Sequence, residues 1–179
     1  MRKTIADYRI RPADPETLEL LPAIETAAAE IFPAEDLVPE LRQEGPPVAW
    51  FEQAAREGQL WTAVVRASGL PVGFALVTIV DGSAHLHEMD VHPDHGRRGL
   101  GTALVGAVLE WARGKRFSCV TLTTFRHLPW NGPFYRRLGF EELSPAELTP
   151  GLAQLLEQEV RDGLDGSKRV AMRLDLCAP

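Results

Sequence analysis

The segment Val91-His92-Pro93-Asp94-His95-Gly96-Arg97-Arg98-Gly99-Leu100-Gly101-Thr102 gathers the residue types that hold phosphate. Glycines let an anion come close to the main chain. The apolar spacing after Arg98 predicts a helix, and the first amides of a helix lack partners within it. Those amides and the helix dipole attract negative charge. Arg97 and Arg98 can add charge-assisted hydrogen bonds. Two other phosphate loops are excluded by the residues they require. A Walker A loop needs lysine after its last glycine, and Thr102 follows Gly101. A dinucleotide fingerprint counted from Gly99 needs glycine where Leu104 stands.

Other reactive side chains show less pattern. His85, His87, His92, His95 and His127 form no metal-ligand spacing with cysteine. Ser118, Cys119 and Cys177 sit in no nucleophile motif, and Cys119 is expected to pack within a strand. Trp50, Trp61 and Trp111 are expected in the core, with Trp130 free to wall a pocket.

The elements that must position the glycine turn can be read from periodicity. Tyr8–Arg11 reads as a short strand. Asp14-Pro15 starts a helix, with Pro22 as a restart point. Phe32 to Pro47, with Glu35, Asp36, Glu40 and Glu44, reads as an acidic loop. A second helix is expected from Pro47 to Glu57, ended by Gly58. Residues 60–67, 71–80 and 84–91 form a meander, with Asp81-Gly82 at its second turn. A helix over Gly99–Arg113 buries Leu100, Leu104, Val108 and Trp111. Then come a strand over Phe117–Phe125, a helix over Asn131–Leu138 and a strand over Phe140–Leu143. Ser144-Pro145-Ala146-Glu147 is a capping box. A helix from Thr149-Pro150 and a strand over Lys168–Leu176 finish the chain. Antiparallel pairing in the meander and a parallel crossover over 84–125 predict a mixed α/β fold.

Bulk properties agree with a globular protein. The chain has 179 residues, 45% hydrophobic and 25% charged, with a net charge of -6. That balance argues against a basic stripe for nucleic acid. No apolar run is long enough to cross a bilayer. Two cysteines and no secretory pattern at the N-terminus lead to the expectation of a cytoplasmic protein.

The glycine turn, after its Val-x-Pro strand end, resembles the acetyl-CoA signature of the GNAT superfamily of N-acetyltransferases. Gly99 and Gly101 match that signature, as do Val91 and Pro93; Gly96 replaces its usual glutamine or arginine. A second stretch, Asn131-Gly132-Pro133-Phe134-Tyr135-Arg136-Arg137-Leu138-Gly139-Phe140, is similar to the family's later motif. Its Phe-Tyr-x-x-x-Gly-Phe is intact, although Phe134 and Tyr135 lie closer to Asn131 than in the family's longer form. The two motifs occur in family order, separated by a helix and a strand. The match is firmest over residues 60–142. The resemblance implies one domain over residues 1–179, with a helical insertion at about 144–166. It implies a mostly antiparallel sheet of about six to seven strands, helices on both faces and one splayed strand pair.

It also implies acetyl-CoA as co-substrate, no metal, and an amine or peptide acceptor. Oligomeric state, monomer or homodimer, stays open. The main chain of Met89, Asp90 and Val91 would contact pantetheine. Arg97, Arg98, Gly99, Leu100, Gly101 and Thr102 would hold the pyrophosphate, and Asn131, Phe134 and Tyr135 would border the thioester. Asn131 has a second reading as a helix cap.

Direct acyl transfer needs a neutral amine, a donor for the developing oxyanion and a proton for the departing thiolate. Glu88, three residues before Val91, is the candidate base. A free glutamate has a pKa near ~4.3, so burial must raise it. Tyr135 is the candidate acid, the role the matching tyrosine takes in the family. An amide near Val91 is the candidate oxyanion donor. Asp90 is a second acid able to orient the acceptor. The competing reading is a non-catalytic module that binds or senses acyl-CoA.

Overall fold

A computed structural model describes residues 4–37 and 46–176. Cys177 and residues 38–45, including Glu40 and Glu44 of the acidic loop, lie outside the described residues. The strands are β1 (Tyr8–Pro12), β2 (Leu60–Val65), β3 (Pro71–Val80), β4 (Ser83–Val91), β5 (Cys119–Phe125), β6 (Glu141–Glu142) and β7 (Arg169–Asp175). The α-helices among the described residues are α1 (Leu21–Ala29), α2 (Val48–Arg56), α3 (Leu100–Gly114), α4 (Gly132–Arg137) and α5 (Pro150–Arg161). The sheet has seven strands in the order β1-β2-β3-β4-β5-β7-β6. The β4–β5 ladder is parallel, over Ala84–Leu86 and Val120–Leu122, while β1–β2, β2–β3, β5–β7 and β6–β7 are antiparallel. This is the mixed α/β arrangement that the meander and crossover predict, and the mostly antiparallel sheet that the resemblance implies.

The residues divide into two compact units, Met1–Val77 with Glu88–Val108, and Thr78–His87 with Leu109–Pro179. In the first unit Leu18, Leu21, Ile24, Phe51, Ala54, Leu60, Phe74 and Leu76 form the core. The Phe51 and Phe74 rings meet edge to face at 5.1 Å. Each such side chain stabilises by about 1.5–3 kcal/mol when fully buried. Asp14 accepts from the Glu16 amide at 3.1 Å and starts a 3₁₀ turn over Pro15–Leu20. The α-helix proper begins at Leu21, with Pro22 in its first turn, where a missing N–H costs nothing. These contacts fix α1 against β2 and β3, and so place Glu25.

In the second unit Leu143, Leu152 and Ala171 are buried together, with Val80, Leu148, Leu155 and Leu156 against them. The capping box forms as expected: Ser144 N and Oγ both donate to Glu147 Oε2, at 2.9 and 2.6 Å. It closes a 3₁₀ turn, and α5 follows from Pro150. Asp81, with φ 48°, and Gly82, with φ 76°, form the tight turn joining β3 to β4.

Two sequence expectations need correction. Trp50 is 52% exposed, because α2 turns Phe51 and Ala54 into the core and its neighbouring positions outward. The strand expected over Phe140–Leu143 shrinks to Glu141–Glu142, since the Phe140 amide bonds to Tyr135 O at 3.1 Å to close the preceding helix. Cys119 is buried in β5, as its neighbours imply.

Candidate active site

The end of β4 carries Glu88, Met89, Asp90 and Val91, all partly buried. Glu88 is hydrogen-bonded to Glu25 of α1. Burial pushes the Glu88 carboxyl well above the ordinary glutamate range, and the charges of Asp90 and Glu25 and the hydrogen bond to Glu25 push it further. Burial and the charge of Glu25 raise Asp90 to about 7. Burial raises Glu25 to about 7, against the lowering effect of its bond to Glu88. One Glu25 oxygen, Oε2, is buried without a hydrogen-bond partner. Three acids that crowd one another cannot all ionise readily, so protons stay on the cluster near neutral pH. The burial that a glutamate base requires is therefore present.

Gly73 of β3 fits this strand closely. A Cβ there would stand 2.8 Å from Asp90 O and 3.3 Å from Val91 Cα. The His92 amide bonds to Val72 O at 2.9 Å. No side chain larger than hydrogen fits at Gly73 without displacing the main chain at Asp90.

Beyond Val91, Pro93–His95 makes one 3₁₀ turn, with His92 Nδ1 accepting from the Asp94 amide at 3.2 Å. Arg97, with φ 56°, and Gly99, with φ 82°, are left-handed. Two such residues reverse the chain within a few positions and lead it into α3. The Ala103 amide reaches Gly99 O at 3.0 Å, the first α-helical bond. The amides of Gly99, Leu100, Gly101 and Thr102 have no protein acceptor among the described residues. Arg97 is exposed, whereas Arg98 is half-buried and bonded to Tyr8.

The remaining expected site residues lie in the second unit. Tyr135 is 7% exposed, with the Phe134 and Phe140 rings at 5.0 and 5.7 Å. Asn131 stands at the N-cap of α4, but its side chain makes no capping bond. Its Oδ1 is buried with no hydrogen-bond partner. The capping reading of Asn131 is thus not what the side chain does. Trp130 is 39% exposed. His85 is buried, with Nδ1 2.9 Å from Thr121 Oγ1. Burial, then the charge of His87, lowers it to about 4, with Glu159 opposing. Burial likewise lowers His87. Burial therefore favours the neutral form of both imidazoles. No group of three or more His, Cys, Asp or Glu suited to a metal occurs among the described residues.

Residues 21–140 match the model of the Acetyltransferase (GNAT) family. The chain belongs to that family. An uncharacterized N-acetyltransferase of Methanocaldococcus jannaschii is 35% identical over 86 residues, 44% of this chain. The match spans 38% of that relative's length. Among solved structures, the ribosomal-protein-S18-alanine N-acetyltransferase of Escherichia coli superposes with a TM-score of 0.66 at 19% identity, covering 96% of each chain. The PaiA N-acetyltransferase of Thermoplasma acidophilum, in complex with coenzyme A, gives 0.70 at 16% identity, covering 94% of this chain and 99% of that one. At such identities the likeness shows a GNAT fold and nothing finer. No described helix is long and apolar enough to cross a membrane.

The GNAT family draws its acetyl group from acetyl-CoA, and the residues here fit that donor. Four amides at the opening of α3 are without acceptors among the described residues, and a diphosphate supplies acceptors.

Sequence reasoning did not find Glu25. A signal exists: it is the single acid in Leu21–Ala29, set between Ile24 and the buried Ala28 and Ala29. Tyr8 and His95, the partners of Arg98, were also not singled out for the site.

Proposed function

We propose that this GNAT protein is an N-acetyltransferase that moves an acetyl group from acetyl-CoA directly to an amine bound beside it. The observation that carries the reading is the run of amides from Gly99 to Thr102, which find no acceptor among the described residues, at the helix start that follows β4 and its half-buried Glu88. The donor supplies an activated acyl carbon; the protein supplies position and proton transfer.

In this reading the amides of Gly99, Leu100, Gly101 and Thr102, with Arg97 and Arg98, bind the diphosphate. The main chain of Met89 to Val91 aligns the pantetheine arm. Glu88, ionised, takes a proton from the acceptor's ammonium or from the attacking amine. Its raised affinity for protons makes it a better base than a free glutamate. Burial sets most of that affinity, Asp90 and Glu25 add to it, and Asp90 orients the amine. An amide near Val91 donates to the developing oxyanion. The His92 amide is already bonded to Val72 O, so the donor is sought before it. Tyr135 donates a proton to the departing sulfur, with Asn131 and Phe134 at the thioester end.

Release of free coenzyme A thiol from acetyl-CoA, measured against a panel of amino acids, diamines and peptide N-termini, tests the proposal. Acceptor-dependent release supports it. Acetyl-CoA binding with no release for any acceptor would instead mark a sensing module.

A further inference from the structure

Arg98 is held by Tyr8, from the first strand, and by His95 of its own turn. Its Nη1 donates to Tyr8 Oη at 2.5 Å and lies 3.3 Å from His95 Nδ1. Tyr8 Oη is 2.8 Å from the same ring nitrogen. A guanidinium has donors and no acceptor. The phenol oxygen therefore accepts from Arg98, and its own proton is left for His95 Nδ1. That assigns Nδ1 of His95 as an acceptor. The Tyr8 and His95 rings meet edge to face at 5.6 Å, with an interplanar angle of 88°. Tyr8 is 2% exposed and is the first residue of β1, paired with Val65. The hydroxyl is thus fixed by the sheet, not by the loop it touches.

Nε and Nη2 of Arg98 make no hydrogen bond to protein among the described residues. Arg98 immediately precedes Gly99, where the unpaired amides begin. One arm of the fork is anchored while the rest is left for a ligand. A long side chain ordered before its ligand arrives loses less freedom on binding.

We propose that Tyr8 and His95 are positioning residues that hold the Arg98 guanidinium ready for the phosphates of the coenzyme, making the first strand a working part of the coenzyme clamp. This rests on the reading of the glycine turn as a diphosphate site.

The test is calorimetric titration of acetyl-CoA into wild type, Tyr8→Phe, His95→Ala, Arg98→Ala and the Tyr8→Phe/Arg98→Ala double variant, with steady-state kinetics beside it. The expected result is a dissociation constant raised about 5-fold by Tyr8→Phe, the scale of one positioned hydrogen bond. His95→Ala should weaken binding in the same direction. KM for acetyl-CoA should rise while kcat at saturation stays unchanged. In the Arg98→Ala background, Tyr8→Phe should add nothing. Unchanged binding in both Tyr8→Phe and His95→Ala overturns the proposal, as does a Tyr8 effect that simply adds to that of Arg98→Ala. Full binding by Arg98→Ala also overturns it, yet leaves the amide site standing. Failure of wild type to bind acetyl-CoA would remove the functional reading itself, and the clamp with it.

Discussion

The Glu88 carboxyl on β4 is hydrogen-bonded to the Glu25 carboxyl on α1, and the bond raises Glu88 while it lowers Glu25. A carboxyl–carboxyl hydrogen bond needs one proton between the two groups, so the pair holds a proton that burial favours. A base that starts protonated must lose that proton before it can act. The rate of acetyl transfer should rise as pH rises through the Glu88 titration. Glu88→Gln should lower kcat at least 100-fold, the usual scale of a general base, and abolish the acid limb. A retained limb with near-normal kcat assigns the base elsewhere.

Glu25→Gln makes the complementary prediction. It removes a negative charge that raises Glu88, and its amide N–H can donate to the Glu88 carboxylate, which favours the ionised form. The acid limb of the pH–rate profile should move to lower pH, with the fold unchanged. A limb that stays in place, or moves up, contradicts the coupling.

Stability should respond to the same acids. Asp90 titrates near 7 in the folded chain, against 3.8 for its ordinary value. The folded state then holds more protons than the unfolded state in that window. Stability contributed by this group is present below the ordinary value and is lost as pH rises toward 7. Asp90→Asn stays neutral throughout, so it should melt higher than wild type at pH 8, by about 3 °C or more for ~1 kcal/mol in a chain this size. The gain should shrink toward pH 4. Thermal melts at both pH values check it; an equal gain at both refutes the titration account.

Gly73→Ala should disturb coenzyme binding from a distance. The added methyl would meet Asp90 O at 2.8 Å. Overpacking of this kind costs about 1–3 kcal/mol, and the strand it shifts is the one proposed to align the pantetheine arm. KM for acetyl-CoA should rise. A variant with normal stability and normal KM would mean that this approach carries no consequence.

Much of this was legible in the chain, for a physical reason. The glycine turn, the Asp81-Gly82 hairpin and the Ser144–Glu147 box are local features, and local chemistry decides them. Asn131 and Trp50 were harder. Whether Asn131 caps depends on the backbone just before α4, and whether Trp50 is buried depends on which face of α2 the sheet covers. Glu25 and Tyr8 were invisible as site residues because their partners lie 63 and 90 positions away in sequence. Contacts across such spans are set by packing, not by spacing.

Backbone amide resonances offer the most direct check on how the coenzyme is held. On addition of acetyl-CoA, the amides of Gly99, Leu100, Gly101 and Thr102 should shift strongly and become protected from solvent exchange. Saturating binding that perturbs other amides and leaves these four unmoved would contradict the account.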